Sequence, residues 1–199
     1  MPTQNILLVG VGGQGTILAS KILAEVAVMQ GLDVKMSEVH GMAQRGGSVV
    51  THVLMGEQVK SPLVEKGEAD FIVAFEKLEA LRWAHYLREG GFIVVNDQRI
   101  DPMTVITGQA LYSPEILETL QADAEEVVVI DALQLAREVG SIKAVNVVLL
   151  GALAQKMQIE KSQWLEAIRR IVPAKALDLN LQAFEAGFKG AGHAAQEDS

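Results

Sequence analysis

Asn5-Ile-Leu-Leu-Val-Gly-Val-Gly-Gly-Gln-Gly15 is an apolar run that breaks into four glycines, and its reading decides the fold. A short continuous apolar run is the mark of a strand buried on both faces. Past the glycines, Ile17, Leu18, Ile22, Leu23, Val26 and Met29 recur at helical spacing, and Gly31 is placed to cap that helix. Leu32 to Ser37 reads as a second strand, so the chain opens with a strand, a glycine loop, a helix and a strand.

Farther along, Ser48 to Met55 is β-rich and reaches a turn at Gly56-Glu57, which predicts a short hairpin or an excursion from the main sheet. Phe71 to Phe75 is a strand, Lys77 to Arg88 a helix closed by Gly90-Gly91, and Phe92 to Val95 another strand. Thr104 to Thr107 suggests a short extra strand, and Glu126 to Ile130 is the last clear one. From Asp131 onward the pattern is helical, punctuated at Gly140, Gly151 and Pro173. Strands alternating with helices predict an α/β fold, a three-layer αβα Rossmann-like sandwich with a mostly parallel sheet and a helical C-terminal region. Residues 1–189 read as a single domain, and the small, polar 190–199 as a disordered tail.

Composition narrows the function. The 199 residues are 49% hydrophobic and 21% charged, with a net charge of −8 and no Lys/Arg cluster, which argues against nucleic-acid binding. Cysteine is absent, so the chain has no disulfide, no thiolate-ligated iron–sulfur cluster and no cysteine nucleophile. His40, His52, His85 and His193 show no helical metal-ligand pairing, so no metal site is expected. Met1-Pro-Thr-Gln4 runs straight into an apolar strand, and the apolar run Val145 to Ala154 is too short to cross a bilayer. The expectation is a cytoplasmic protein without membrane contact.

Two loops carry the chemistry. Gly10-x-Gly12-x-x-Gly15 fits the dinucleotide fingerprint, in which glycines let backbone N–H groups and a helix start approach a phosphate. Glu38, 23 residues past Gly15, stands near where a ribose-binding acid would lie. The same glycines also suit a strand-to-helix turn with positive φ. Gly13-Gln14 adds a glycine and an amide that a plain dinucleotide loop does not need. In the second loop, Glu38-Val-His-Gly-Met-Ala-Gln-Arg-Gly-Gly-Ser48, Arg45 can grip a carboxylate or phosphate and His40 can donate or exchange a proton. In a parallel sheet, Gly10, Glu38, Glu76 and Asn96 would share one rim. Asn146 reads as a buried amide contact, and Trp83 and Trp164 as core or interface aromatics.

Gly10-Val-Gly-Gly-Gln-Gly15 followed by Glu38 to Ser48 resembles the gamma-type module of 2-oxoacid:ferredoxin oxidoreductases, most of all the small (beta) subunit of indolepyruvate:ferredoxin oxidoreductase. Ala69-Asp70 before a strand ending in Glu76, Gly90-Gly91 before one ending in Asn96, and Asn180 to Gly187 are similar too, so the likeness spans nearly the whole chain. Leu54 departs from the pattern, where an arginine is expected. Enzymes of this family decarboxylate a 2-oxoacid on thiamine diphosphate, pass electrons through iron–sulfur clusters to ferredoxin and form an acyl-CoA. Without cysteines or a Gly-Asp-Gly magnesium motif, this chain would carry none of those centres. The resemblance implies a large partner subunit holding thiamine diphosphate, Mg and the clusters, with ferredoxin served by the complex. This chain would assist at the substrate/CoA site and be inactive alone, with a homodimer as one state of the isolated chain. It assigns no catalytic residue here. Gly10, Gly12, Gly13, Gln14 and Gly15 would offer loop contacts, His40, Gln44 and Arg45 would meet the partner or the CoA phosphates, and Glu38, Gly46, Gly47 and Ser48 would complete the cofactor/substrate-binding set. The other reading is a stand-alone NAD(P)- or nucleotide-binding Rossmann protein, with Gly10, Gly12 and Gly15 on the pyrophosphate and Glu38 on the ribose.

Overall fold

The computed structural model describes residues 3–40 and 47–197, with side chains described through residue 192 apart from that of His40. Strand β1 (Gln4–Val11) leads through the glycine loop into α1 (Thr16–Met29), β2 (Asp33–His40) and β3 (Ser48–Gly56). Then come β4 (Ala69–Ala74), α2 (Lys77–Trp83), β5 (Leu87–Asn96), α3 (Met103–Ile106), α4 (Ile116–Asp123), β6 (Glu126–Ile130) and α5 (Ala132–Glu138). Helices α6 (Val145–Ala154), α7 (Lys161–Ile171) and α8 (Leu177–Glu197) complete the chain.

The six strands form one sheet in the order β2-β3-β1-β4-β5-β6. β1, β4, β5 and β6 pair in parallel, and β3 runs antiparallel to both of its neighbours. Alternate residues feed two cores. Ile6, Leu8, Val73 and Val94 face the layer of α1, α6, α7 and α8, whereas Leu7, Val9, Ile72 and Ile93 pack with Ala80, Ile116 and Leu120 of α2 and α4. Coverage of both faces explains why these strands read as unbroken apolar runs. Leu54, at 6% exposure, lies in the second core, so it fills space where an arginine would have brought charge.

Several elements differ from the sequence reading. β3 is no excursion: it sits between β2 and β1, and every residue from Val49 to Gly56 is buried. Helix α2 stops at Trp83, one 3-10 turn follows at Ala84–Tyr86, and Leu87 to Gly91 already belong to β5. Gly90 adopts φ 69° beside an irregularity in the β4–β5 register, so it bends a strand and does not close a helix. The β-branched Thr104-Val-Ile-Thr107 mimics a strand, yet Pro102 accepts the N–H groups of Val105 and Ile106 and starts a single helical turn. Gly151 breaks nothing, because it lies inside the wholly buried α6 where α8 crosses it. Gly190 likewise does not end the fold: α8 continues to Glu197, and Ala191 is 2% exposed. A Cβ on Gly190 would stand 3.1 Å from Ile130 Cδ1, so small residues there reflect close packing. Among the described residues, no helix is long and apolar enough to cross a membrane.

Candidate functional site at the strand-end rim

Because β2 runs in the same direction as β1, the C-terminal ends of β1, β2, β4, β5 and β6 share one edge with the start of β3. Gly10, Glu38, Glu76 and Asn96 therefore lie on one rim, where open α/β sheets bind ligands. Gly13 (φ 99°) and Gly15 (φ 89°) turn the chain from β1 into α1 through a conformation that side chains resist. Gly15 stands directly before the helix. Its missing Cβ leaves room for Asn146 of α6, whose Nδ2 donates to the Gly15 carbonyl at 3.1 Å.

Gln14 locks the loop from within. Its Oε1 accepts from Val11 N–H at 2.7 Å, and its Nε2 donates to the Phe75 carbonyl at 3.0 Å and reaches Gln98 Oε1 at 3.5 Å. Asn96, fully buried, donates from Nδ2 to Phe75 O and to Gln98 Oε1 and accepts from Ala132 N–H. Three strand ends are thus tied by side-chain amides. The Val11 N–H is occupied internally and is not free for a phosphate.

The second loop meets the first at its downstream end. Gly12 N–H donates to the Gly47 carbonyl at 2.9 Å, and Val11 is paired with Ser48 in the sheet. Glu38 is exposed and accepts from Thr51 Oγ1 at 3.2 Å, while His40 closes β2 opposite Val49. Gln44, Arg45 and Gly46 lie outside the described residues.

Beneath Ser48 is a pair of buried carboxylates. Ser48 Oγ donates to Glu79 Oε2 at 2.5 Å, and Arg82 Nη1 donates to Glu79 Oε1 at 2.8 Å. Glu76 caps α2 by accepting from Glu79 N–H, and its other oxygen accepts from Ile100 N–H and from the Tyr112 hydroxyl at 2.5 Å. Burial pushes the Glu79 carboxyl up; the Ser48 bond and Arg82 oppose this, and the Glu76 charge adds to it. Burial, followed by the bond to Glu76 and its charge, raises the Tyr112 phenol. Arg99 lies 4.4 Å over the Tyr112 ring.

A hollow opens on each side of the glycine loop. One, of about 410 Å³, is lined by Gly12, Gly13, Gly15, Thr16, Glu38 and Val49. The other, of about 480 Å³, combines Gln14, Gln98, Lys143 and Asn146 with apolar Leu18, Ile100, Leu133 and Ile142. That mixture suits an elongated ligand with an anionic end and an apolar body. It does not suit the dinucleotide reading, because β3 separates β1 from β2. The strand bearing Glu38 is thereby about 10 Å from β1, two strand spacings away.

Glu79, Gln98, Tyr112 and Lys143 were not singled out from the sequence. Glu76-Lys-Leu-Glu79 carries a signal, an acid at a helix cap and another three residues on. Gln98 follows Asn96 at the same strand end, whereas Tyr112 and Lys143 have no local pattern to mark them. Trp164 is the core aromatic expected, fully buried and stacked near Phe184. Among the described residues, no group of three or more His, Asp or Glu side chains could hold a metal ion.

Comparison with known proteins agrees with this architecture. Residues 5–190 match the family model for pyruvate ferredoxin/flavodoxin oxidoreductase. Indolepyruvate oxidoreductase subunit IorB of Thermococcus kodakarensis is 42% identical over 196 residues, covering 96% of this chain and 97% of that one. The ketoisovalerate oxidoreductase subunit VorA of Methanothermobacter marburgensis is 30% identical over 92% of this chain but only 35% of its own length, so the same module also occurs within a longer chain. The crystal structure of a keto/oxoacid ferredoxin oxidoreductase gamma subunit from Geobacter sulfurreducens superposes with a TM-score of 0.72 at 25% identity, covering 96% of this chain and 99% of that one. The family-model match over residues 5–190, with the near-full-length likeness to IorB and to a gamma subunit, shows that the chain belongs to the pyruvate ferredoxin/flavodoxin oxidoreductase family, as a gamma-type subunit of a 2-oxoacid:ferredoxin oxidoreductase.

Proposed function

We propose that this chain is the accessory subunit of an indolepyruvate (aryl-2-oxoacid):ferredoxin oxidoreductase, and that its strand-end rim lines the path by which CoA reaches the reacting carbon in a large partner subunit. The observation that carries this is the hydrogen-bonded glycine rim with a hollow on each side. Gly13 and Gly15 expose backbone beside the start of α1, Lys143 supplies a cation, and Leu18, Ile100, Leu133 and Ile142 supply an apolar wall. CoA offers complementary parts, phosphates at one end and a largely apolar pantetheine arm.

CoA supplies the thiol that accepts the acyl group. In this reading the residues of this chain bind and orient, and none serves as a nucleophile or proton carrier. In this reading His40, Gln44 and Arg45 would contact the CoA phosphates or the partner. Thiamine diphosphate, Mg and the iron–sulfur clusters belong to the large subunit in this reading, since this chain contributes no cysteine for the clusters and no Gly-Asp-Gly for the magnesium. Ferredoxin is served by the complex, in the cytoplasm.

The test is purification of the tagged chain from its own cells. A brown complex with a large cysteine-rich subunit, turning over indolepyruvate with CoA and a ferredoxin-type acceptor, is the expected outcome. A colourless lone protein that retains a bound nucleotide would overturn the proposal.

A further inference from the structure

We propose that Glu79, a residue outside both loops, is the positioning residue that clamps the glycine loop by holding Gly47–Ser48 against Gly12. The chain of contacts is short. Glu79 is 4% exposed and is held from one side by Arg82 at 2.8 Å, so its remaining oxygen is fixed where Ser48 Oγ donates to it at 2.5 Å. The residue preceding Ser48 supplies the carbonyl that accepts Gly12 N–H at 2.9 Å. Fixing Ser48 therefore fixes the acceptor that shapes the turn at Gly12 and Gly13.

The clamp continues to the other side of the rim. Glu76 holds the backbone N–H of Glu79 and, with its second oxygen, the N–H of Ile100. Ile100 lines one hollow, and Gly12 lines the other. Two carboxylates three residues apart at the start of α2 thus brace both hollows, although neither opens into them. Charged acceptors make the stronger hydrogen bonds, and buried ones are the most costly to leave unpaired, which suits them to rigid bracing.

Amide hydrogen exchange on the full chain reads this directly. Ser48→Ala and Glu79→Ala should each speed exchange of the Gly12 amide at least about tenfold, while the Val128 amide in β6 keeps its wild-type rate. The double variant should be no faster than either single one, because both remove the same contact. Ser48→Ala, which removes only a hydroxyl from the end of a strand, keeps the test decisive if Glu79→Ala does not fold. Unchanged Gly12 exchange in Ser48→Ala, or equal acceleration at Gly12 and Val128, would overturn the clamp. A second readout rests on the proposed function. In the assembled enzyme, Glu79→Ala, which alters no residue lining either hollow, should raise the KM for CoA several-fold with kcat within about twofold, and an unchanged KM would defeat the link from clamp to ligand. A wild-type complex that turns over no 2-oxoacid would defeat the functional reading alone, leaving the exchange experiment to decide the clamp.

Discussion

The crossing of α6 over α8 and the glycine loop before α1 rely on the same residue and use it in opposite ways. At the crossing, a Cβ on Gly187 would stand 1.8 Å from the Val148 carbonyl oxygen, and one on Gly151 would stand 2.1 Å from that of Phe184. Protein backbone fills the space that the missing side chains leave. In the loop, a Cβ on Gly13 would meet nothing within 4 Å, and what glycine provides there is the φ of 99°. Absent side chains make a close-packed interior in one region and an open backbone surface in the other. Asn146 belongs to both, since it lies on α6 and bonds the loop at Gly15.

The largest effect should fall at the crossing. Gly187→Ala drives a methyl group into backbone that cannot move unless the helices separate, so it should cost about 3 kcal/mol or more in urea unfolding. Gln14→Ala comes next, at about 2 kcal/mol, because it strands the Val11 N–H and strips a donor from the Phe75 carbonyl. Gly13→Ala should cost only about 1 kcal/mol, the strain of holding an alanine at positive φ without a clash. If Gly13→Ala proved as damaging as Gly187→Ala, the loop would be packed and not open, and the contrast would fail.

The two regions also differ in how far the sequence discloses them. The loop is legible, because Gly10 to Gly15 interrupts an apolar strand and precedes a periodic helix. The crossing is not: Gly151 reads as helix punctuation and Gly187 carries no local signal of contact, and only the approach of two distant segments gives them a purpose. The same limit hides the central place of β3. Ser48 to Met55 spells a strand well enough, but local residues do not state which strands it will lie between, and Thr51 and His52 give it the polar look of an edge. His52 is in fact buried, with Nδ1 accepting from Val64 N–H. On the rim, Gly10, Glu38, Glu76 and Asn96 lie together because strand direction alone places them. Glu79 and Tyr112 are not legible in the sequence because their role depends on contacts 31 and 36 residues away. Long-range polar bracing has no periodicity to read.

The smallest predicted effect separates the regions by chemistry. At the crossing the close approach of Gly151 and Gly187 is to backbone atoms, while the rim rests on Glu79. Burial raises the Glu79 carboxyl above its ordinary value of 4.5, and the Ser48 bond and Arg82 offset that only partly. Between that ordinary value and the raised one, the unfolded chain releases this proton first, so the folded state loses stability from this group as pH rises. Replacing the carboxyl by an amide removes the dependence. The stability of Glu79→Gln relative to wild type should therefore improve between about pH 4 and about pH 7, whereas the deficit of Gly187→Ala should be the same at both. Urea midpoints of the three proteins at the two pH values make the comparison. A wild-type advantage over Glu79→Gln that grew with pH would mean that Ser48 and Arg82 outweigh burial, and that the ionised carboxylate is a net support of the rim.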